Sequence, residues 1–160
     1  MKKLMVLLAV MLLIFPFTGC KRRLKVYTDG TISLTLPEGF EEKTDDENYE
    51  YVLTSNDAYV MCSHADQAFL DEHNISDITL DEFTGYFIKD EDKLLLDRSY
   101  GTYNVFSYED QREEKSFYSM VGIYQTNDGF WLVNFICDNT EVKKYESMFL
   151  EWAGKVTFKD

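Results

Sequence analysis

Histidine, cysteine and carboxylate side chains are where chemistry would begin, and the chain gathers them in few places. Its two histidines, His64 and His73, stand with Asp66, Asp71 and Glu72 in the one concentration of imidazole and carboxylate. Neutral imidazole with carboxylates is a ligand set for zinc or a related metal. The spacing is not that of HExxH, no paired-cysteine motif accompanies it, and the stronger reading is surface histidines among solvating acids. Cys62 with either histidine would make a thiol site, yet a cysteine inside an apolar, strand-like run is more often simply buried. The acidic runs Asp45-Asp46-Glu47 and Asp90-Glu91-Asp92 lack the alternating ligands and central glycine of an EF-hand loop. There is no Gly-x-Ser-x-Gly elbow and no glycine-rich phosphate loop. The expectation is a protein that is not an enzyme and carries no cofactor. The alternative is an enzyme or metal-binding protein using His64, Asp66, Asp71 and His73.

The remaining cysteine with a chemical prospect is Cys20. Lys2 and Lys3 precede an uncharged apolar run from Leu4 to Phe15, the layout of a secretory signal peptide. At about 1.5 Å per helical residue the run is short for a hydrocarbon layer of about 30 Å, and Pro16 would interrupt any extension. Phe17-Thr18-Gly19-Cys20 resembles the bacterial lipobox, in which an apolar residue and two small ones precede the cysteine that receives a diacylglyceryl group. The resemblance implies a signal peptide over residues 1–19, lipid and palmitate on Cys20, and a short basic tether over residues 20–23. The expected address is the extracytoplasmic face of the cell membrane, with Lys21-Arg22-Arg23 beside anionic headgroups.

Removing residues 1–19 leaves 14 basic against 29 acidic residues, a formal charge of −15. Such a surface repels a phosphate backbone, so nucleic acid is excluded as a partner. The remainder, about 140 residues, is enough for one domain over residues 24–160 and short for two. Eleven tyrosines and 12 phenylalanines occur in the chain, so aromatic burial can supply much of the core.

The elements that must position any site are legible as alternations. Leu24–Thr28 and Thr31–Leu36 flank Asp29-Gly30, a pair suited to a two-residue hairpin turn. Glu41–Glu47 reads as a solvated connection. Tyr49–Thr54 and Ala58–Ser63 form a second hairpin about Ser55-Asn56-Asp57. A short helix is expected over Asp66–His73. A longer one over Leu80–Asp90 opens on a Thr79–Glu82 capping box. Leu94–Ser99, Thr102–Glu109, Ser116–Gln125 and Phe130–Cys137 then suggest an antiparallel meander. Val142, Tyr145, Met148, Phe149 and Trp152 share one helical face before a closing strand over Lys155–Phe158. This order indicates an α+β fold, a mostly antiparallel sheet flanked by helices.

Several of these segments, Ser33-Leu34-Thr35-Leu36-Pro37-Glu38-Gly39-Phe40, Thr79-Leu80-Asp81-Glu82-Phe83, Phe130-Trp131-Leu132-Val133-Asn134-Phe135 and the closing helix and strand, resemble the PsbP-like fold family. That family includes PsbP and the Ran-binding Mog proteins. The resemblance spans most of residues 24–159 and implies an α/β/α sandwich. It carries no catalytic residue, and it implies a role in binding and assembly.

Function is therefore expected to be that of a membrane-anchored, non-catalytic binding or assembly module at the cell envelope, with an unknown envelope protein or ligand as partner. Aromatic residues outside the core would supply the contact, and Tyr100, Tyr103 and Tyr108 are candidates. Cys62 and Cys137 remain as an even pair. A bridge between them would close a loop of about 76 residues and stabilise by roughly 4 kcal/mol if geometry permits. Two separate buried thiols are the competing reading.

Overall fold

Alternating apolar residues put one strand face into a core and leave the other to water, whereas strands apolar on both faces need cover on both sides. Phe130-Trp131-Leu132-Val133-Asn134-Phe135-Ile136 is of the second kind, and it becomes the central strand. The computed structural model describes residues 23–43, 48–88, 94–112 and 114–159. Residues 1–22, with Cys20 and the leader, and both acidic runs, Asp45-Asp46-Glu47 and Asp90-Glu91-Asp92, lie outside them.

Among the described residues ten strands form two sheets. β1 (Leu24–Thr28), β2 (Ile32–Pro37) and β10 (Thr157–Phe158) make a small sheet in the order β1-β2-β10. The large sheet comprises β3 (Glu41–Lys43), β4 (Tyr51–Thr54), β5 (Ala58–Ala65), β6 (Leu94–Ser99), β7 (Tyr103–Arg112), β8 (Lys115–Thr126) and β9 (Gly129–Asp138). Its order is β3-β4-β5-β9-β8-β7-β6, and every pairing in both sheets is antiparallel. Helices α1 (Gln67–Glu72), α2 (Leu80–Ile88) and α3 (Val142–Ala153) complete the α+β fold, with a single 3₁₀ turn over Asn139–Glu141 leading into α3.

One face of the large sheet is fully covered. Tyr145, Phe149, Trp152 and Ala153 of α3 are buried together with Val60, Val133 and Phe135 from the sheet and Ile32, Leu34 and Leu36 from β2. Phe149 is fully buried and lies with its ring centroid 5.7 Å from Phe135 and 5.3 Å from Trp152. The helical face expected from Val142 to Trp152 is the face that packs. On the other side of the sheet α1 and α2 bring Leu70, Leu80 and Phe83 onto Phe106, Val121, Ile123 and Phe130. The small sheet thus shares the α3 layer, and the α/β/α arrangement has strands in one of its outer layers.

The expected caps are present. The Thr79 N–H donates to Glu82 Oε2 at 3.0 Å and the Glu82 N–H to Thr79 Oγ1 at 3.3 Å, the reciprocal pair that starts α2. Asp66 accepts from the Phe69 N–H at 2.8 Å and starts α1. A buried clamp holds α2 to β7, because Asn104 Nδ2 donates to Asp81 Oδ1 at 2.9 Å and to Thr84 Oγ1 at 3.1 Å.

Four expectations are corrected. Glu41–Lys43 is a strand paired with Val52–Thr54, because backbone pairing at a sheet edge tolerates charged side chains that face water. Thr28 pairs with Ser33, so the first hairpin turn is longer than Asp-Gly alone. Only Gly30 there has a positive φ, and Asp29 Oδ1 closes the loop by accepting from the Thr31 and Ile32 N–H groups. The closing strand covers Thr157–Phe158 instead of Lys155–Phe158, and it pairs with β2. The Cys62–Cys137 bridge is not formed, since both cysteines are free and buried. Cys62 faces Val133 and Cys137 faces Ala58, four positions apart along paired strands, or about 13 Å. A disulfide needs Cα atoms within about 7 Å.

Candidate functional site

The His–carboxylate region does not converge. His64 lies parallel to Trp131, with ring centroids 4.5 Å apart, and its Nε2 is 3.0 Å from the Asp128 carbonyl oxygen. His73 closes α1 with Nδ1 2.8 Å from the Phe69 carbonyl oxygen. Asp66 is an N-cap, and Asp71 accepts from Gln67 Nε2 and Ser76 Oγ. Those two hydrogen bonds hold the Asp71 carboxyl below the usual carboxylate range. Among the described residues no three His, Cys, Asp or Glu side chains are placed to hold a metal ion. A hollow of about 650 Å³ between α1 and α2 is lined by Asp71, Asp77 and Glu82 among others. Asp71 and Glu82 already close the local turn and cap.

The cysteines offer no nucleophile at neutral pH. Burial pushes the Cys62 thiol well above its ordinary value and that of Cys137 up to about 12, so both stay protonated.

The three candidate tyrosines do not form one surface. Tyr103 points to the α3 side, stacked between Tyr100 at 4.7 Å and Tyr124 at 5.2 Å. Tyr108 points to the opposite face, five residues on. Strand side chains alternate, so an odd separation divides them.

The face that receives Tyr108 holds the more telling geometry. α1 and α2 cover only one end of it. Beyond them the strands expose a shallow groove with two adjoining hollows of about 200 and 270 Å³ that share Met61. The register explains its floor. Val52 faces Met61, Met61 faces Asn134, Asn134 faces Val121, and Val121 faces Phe106, an unbroken row across five strands. A second row runs Tyr59, Ile136, Ser119 and Tyr108. Phe87 from α2 and Tyr49 stand at one rim, while Lys43, Arg112 and Phe117 stand at the other. Tyr59, on the floor between them, is 42% exposed.

Asn134 is the anomaly in this floor. It sits in the central strand between a thioether and a valine, and its Oδ1 is buried without a hydrogen-bond partner among the described residues. An unpaired buried acceptor costs about 1–3 kcal/mol, and such groups in a folded protein call for a reason. Chemically the groove offers aromatic faces, a polarisable sulfur, one amide acceptor and, at its rim, Lys43 and an Arg112 whose Nε donates to Asp110 Oδ2 at 2.6 Å. Ser63 lies on its wall, but His64, the next residue, faces the other side of the sheet with Trp131. Sequence reasoning missed Tyr49, Tyr59, Met61, Phe87 and Asn134. The signal that was available is the apolar run of β9, which needs cover on both faces and contains one amide.

No protein-family model matches the chain, and no curated protein matches it. Solved structures share its fold. The cyanobacterial PsbP, CyanoP, of Synechocystis sp. PCC 6803 matches with a TM-score of 0.55 at 13% identity, over 89% of this chain and 96% of that one. A protein from Bacteroides thetaiotaomicron matches at 0.52 and 13% identity, over 86% of this chain and 48% of that one. LpqN of Mycobacterium tuberculosis, described as involved in cell envelope biogenesis, matches at 0.47 and 10% identity over 86% and 91%. The fold is PsbP-like, as the short core motifs implied, and at these identities the likeness is one of fold.

Proposed function

We propose that the chain is a lipid-anchored envelope protein that works as a non-catalytic binding module, taking an apolar segment of a partner into the half-covered sheet groove. The observation that carries the reading is the half-covered groove itself, whose floor holds Asn134 Oδ1, one of four buried side-chain polar atoms without a partner among the described residues. A partner supplying an N–H or O–H to Asn134 Oδ1 and apolar groups to Tyr59, Met61 and Phe117 would satisfy the amide and cover the floor together. Aromatic and methionine side chains at such a place supply contact area at low ordering cost. The address rests on the leader and on Phe17 to Cys20. Among the described residues no helix is long and apolar enough to cross a membrane, and attachment is assigned to the lipid on Cys20.

Two experiments test the reading. Labelled palmitate should enter the wild type and not Cys20→Ala; equal labelling, or release of the wild type to the medium, contradicts the address. Crosslinking in intact cells should give a partner band that Tyr59→Ala with Phe117→Ala removes while the protein stays folded and membrane-bound. If instead His64→Ala and His73→Ala abolish a measurable turnover without unfolding the domain, the binding reading gives way to an enzyme.

A further inference from the structure

The chain carries 29 acidic residues, yet the three strands of the small sheet contain none. The outward face of that sheet consists of Leu24, Val26, Thr28, Ser33, Thr35 and Thr157, placed together by the pairings Val26–Thr35, Thr28–Ser33 and Thr157–Ser33. Leu24 is 48% exposed and Val26 58%, two large apolar side chains in water on the first strand of the domain. The opposite face of the same strands, with Tyr27, Ile32, Leu34 and Leu36, is core. Burial on the inside therefore gives no account of Leu24 and Val26 on the outside.

The proposed anchor is close to this face in sequence. Leu24 follows Cys20 by four residues, which span at most about 14 Å. The residues between are Lys21, Arg22 and Arg23, a run of three positive charges that anionic headgroups attract. The net negative charge of the chain as a whole is repelled by such headgroups. Two acids flank β2 in the sequence. Asp29 lies in the turn with Oδ1 occupied by two backbone N–H groups, and Glu38 follows Pro37, its N–H donating to the Arg23 carbonyl.

We infer that the outward face of the small sheet rests on an anionic phospholipid bilayer, with Leu24 and Val26 entering the headgroup layer, to which the positive charge of the run Lys21-Arg22-Arg23 is attracted. The inference rests on the lipid anchor proposed above and adds an orientation to it. With β1 lying down on the membrane, the domain is held by one edge of its fold and cannot present any surface at random. The hydroxyls of Thr28, Ser33 and Thr35 suit the polar headgroup zone, in which an apolar pair beside basic residues is a recurrent binding pattern.

The test uses the lipidated full chain reconstituted in vesicles of phosphatidylglycerol and phosphatidylcholine whose acyl chains carry bromine near the headgroup. A fluorophore is placed by Val26→Cys, or as a control by Tyr86→Cys on the 60% exposed face of α2; Cys62 and Cys137 are buried and do not compete for the label. The label at position 26 should lose about half its emission or more, as an interfacial group does, and the label at position 86 should be unchanged. Changing Lys21, Arg22 and Arg23 to Gln should reverse most of that loss while flotation with the vesicles persists. Flotation with an unquenched label at position 26 overturns the inference and leaves the anchor standing, as does equal quenching at both positions. Failure to float overturns the anchor and with it the orientation. Protection of position 26 in detergent that grows with protein concentration assigns the face to a second copy paired through β1 and overturns the inference as well.

Discussion

The two faces of the large sheet are made by the same strands and end in different states. On the α3 side Tyr145, Phe149 and Trp152 fill the space between the sheets, and Val60, Val133 and Phe135 are fully buried beneath them. On the other side α1 and α2 cover one end, and the rest is a groove floored by Tyr59, Met61, Ile136 and an amide with an open acceptor. A strand apolar on both faces asks for cover on both, so on the proposed reading the difference separates what the domain needs in order to fold from what it leaves for a partner.

The largest effect that would break this comparison is expected on the filled face. Phe149→Ala should cost about 3–5 kcal/mol in equilibrium denaturation, whereas Met61→Ala, in a floor that water already reaches, should cost about 1 kcal/mol or less. Equal costs would mean the groove is core. Next comes Gly129, which opens β9 with φ +109°. A Cβ there would collide with the Ala65 carbonyl oxygen, and the left-handed conformation alone costs about 1–3 kcal/mol for another residue. Gly129→Ala should lower the melting temperature clearly and weaken the contact of the β8–β9 turn with the start of α1. Asn104→Ala should cost about 1–3 kcal/mol, and hydrogen exchange should speed up in α2 while α3 stays protected.

The smallest effects come from titration. Burial raises Cys137 and Tyr51 to about 12, so the folded state keeps protons that the unfolded state releases. Their contribution is complete below about pH 9 and is lost as pH rises toward 12. Denaturation midpoints should fall across that window, and Cys137→Ala should flatten the fall if packing is kept. Neither cysteine should react with a thiol reagent at pH 8 in the native protein, and both should react once it is unfolded without reductant. At the acid end, hydrogen bonds hold Glu82 and Asp71 low. Their effect is present above the ordinary carboxylate values and is lost as pH falls through the depressed ones. Exchange in the first turn of α2 should quicken there ahead of the sheet.

What was legible in the chain is what depends on near neighbours. The capping box at Thr79 and Glu82, the apolar face from Tyr145 to Trp152 and the alternation of the long hairpins are local patterns, and they predict the elements closely. What was illegible depends on register. Whether Cys62 meets Cys137, and whether Tyr103 and Tyr108 share a face, turns on which residue lies across each strand, and strand alternation alone does not choose the partner. Glu41–Lys43 was read as solvent-facing connection because its charges dominate its composition, although an edge strand is also solvent-facing. The groove lay beyond reach for the same reason. Tyr59, Asn134 and Tyr108 are distant in sequence and become neighbours only when β5, β9, β8 and β7 are laid side by side.

The claim at the centre is that Asn134 is kept for a partner and not for the fold, and Asn134→Leu addresses it most directly. A photocrosslinking residue at position 59 reports contact in intact cells, with the same residue at position 100 on the other face as control, and denaturation of the purified variant reports stability. If the claim holds, the Leu variant is as stable as the wild type or up to about 3 kcal/mol more so, position 59 crosslinks in the wild type and position 100 does not, and Asn134→Leu abolishes the crosslink. A Leu variant that is clearly destabilised, or one that crosslinks as the wild type does, would contradict it.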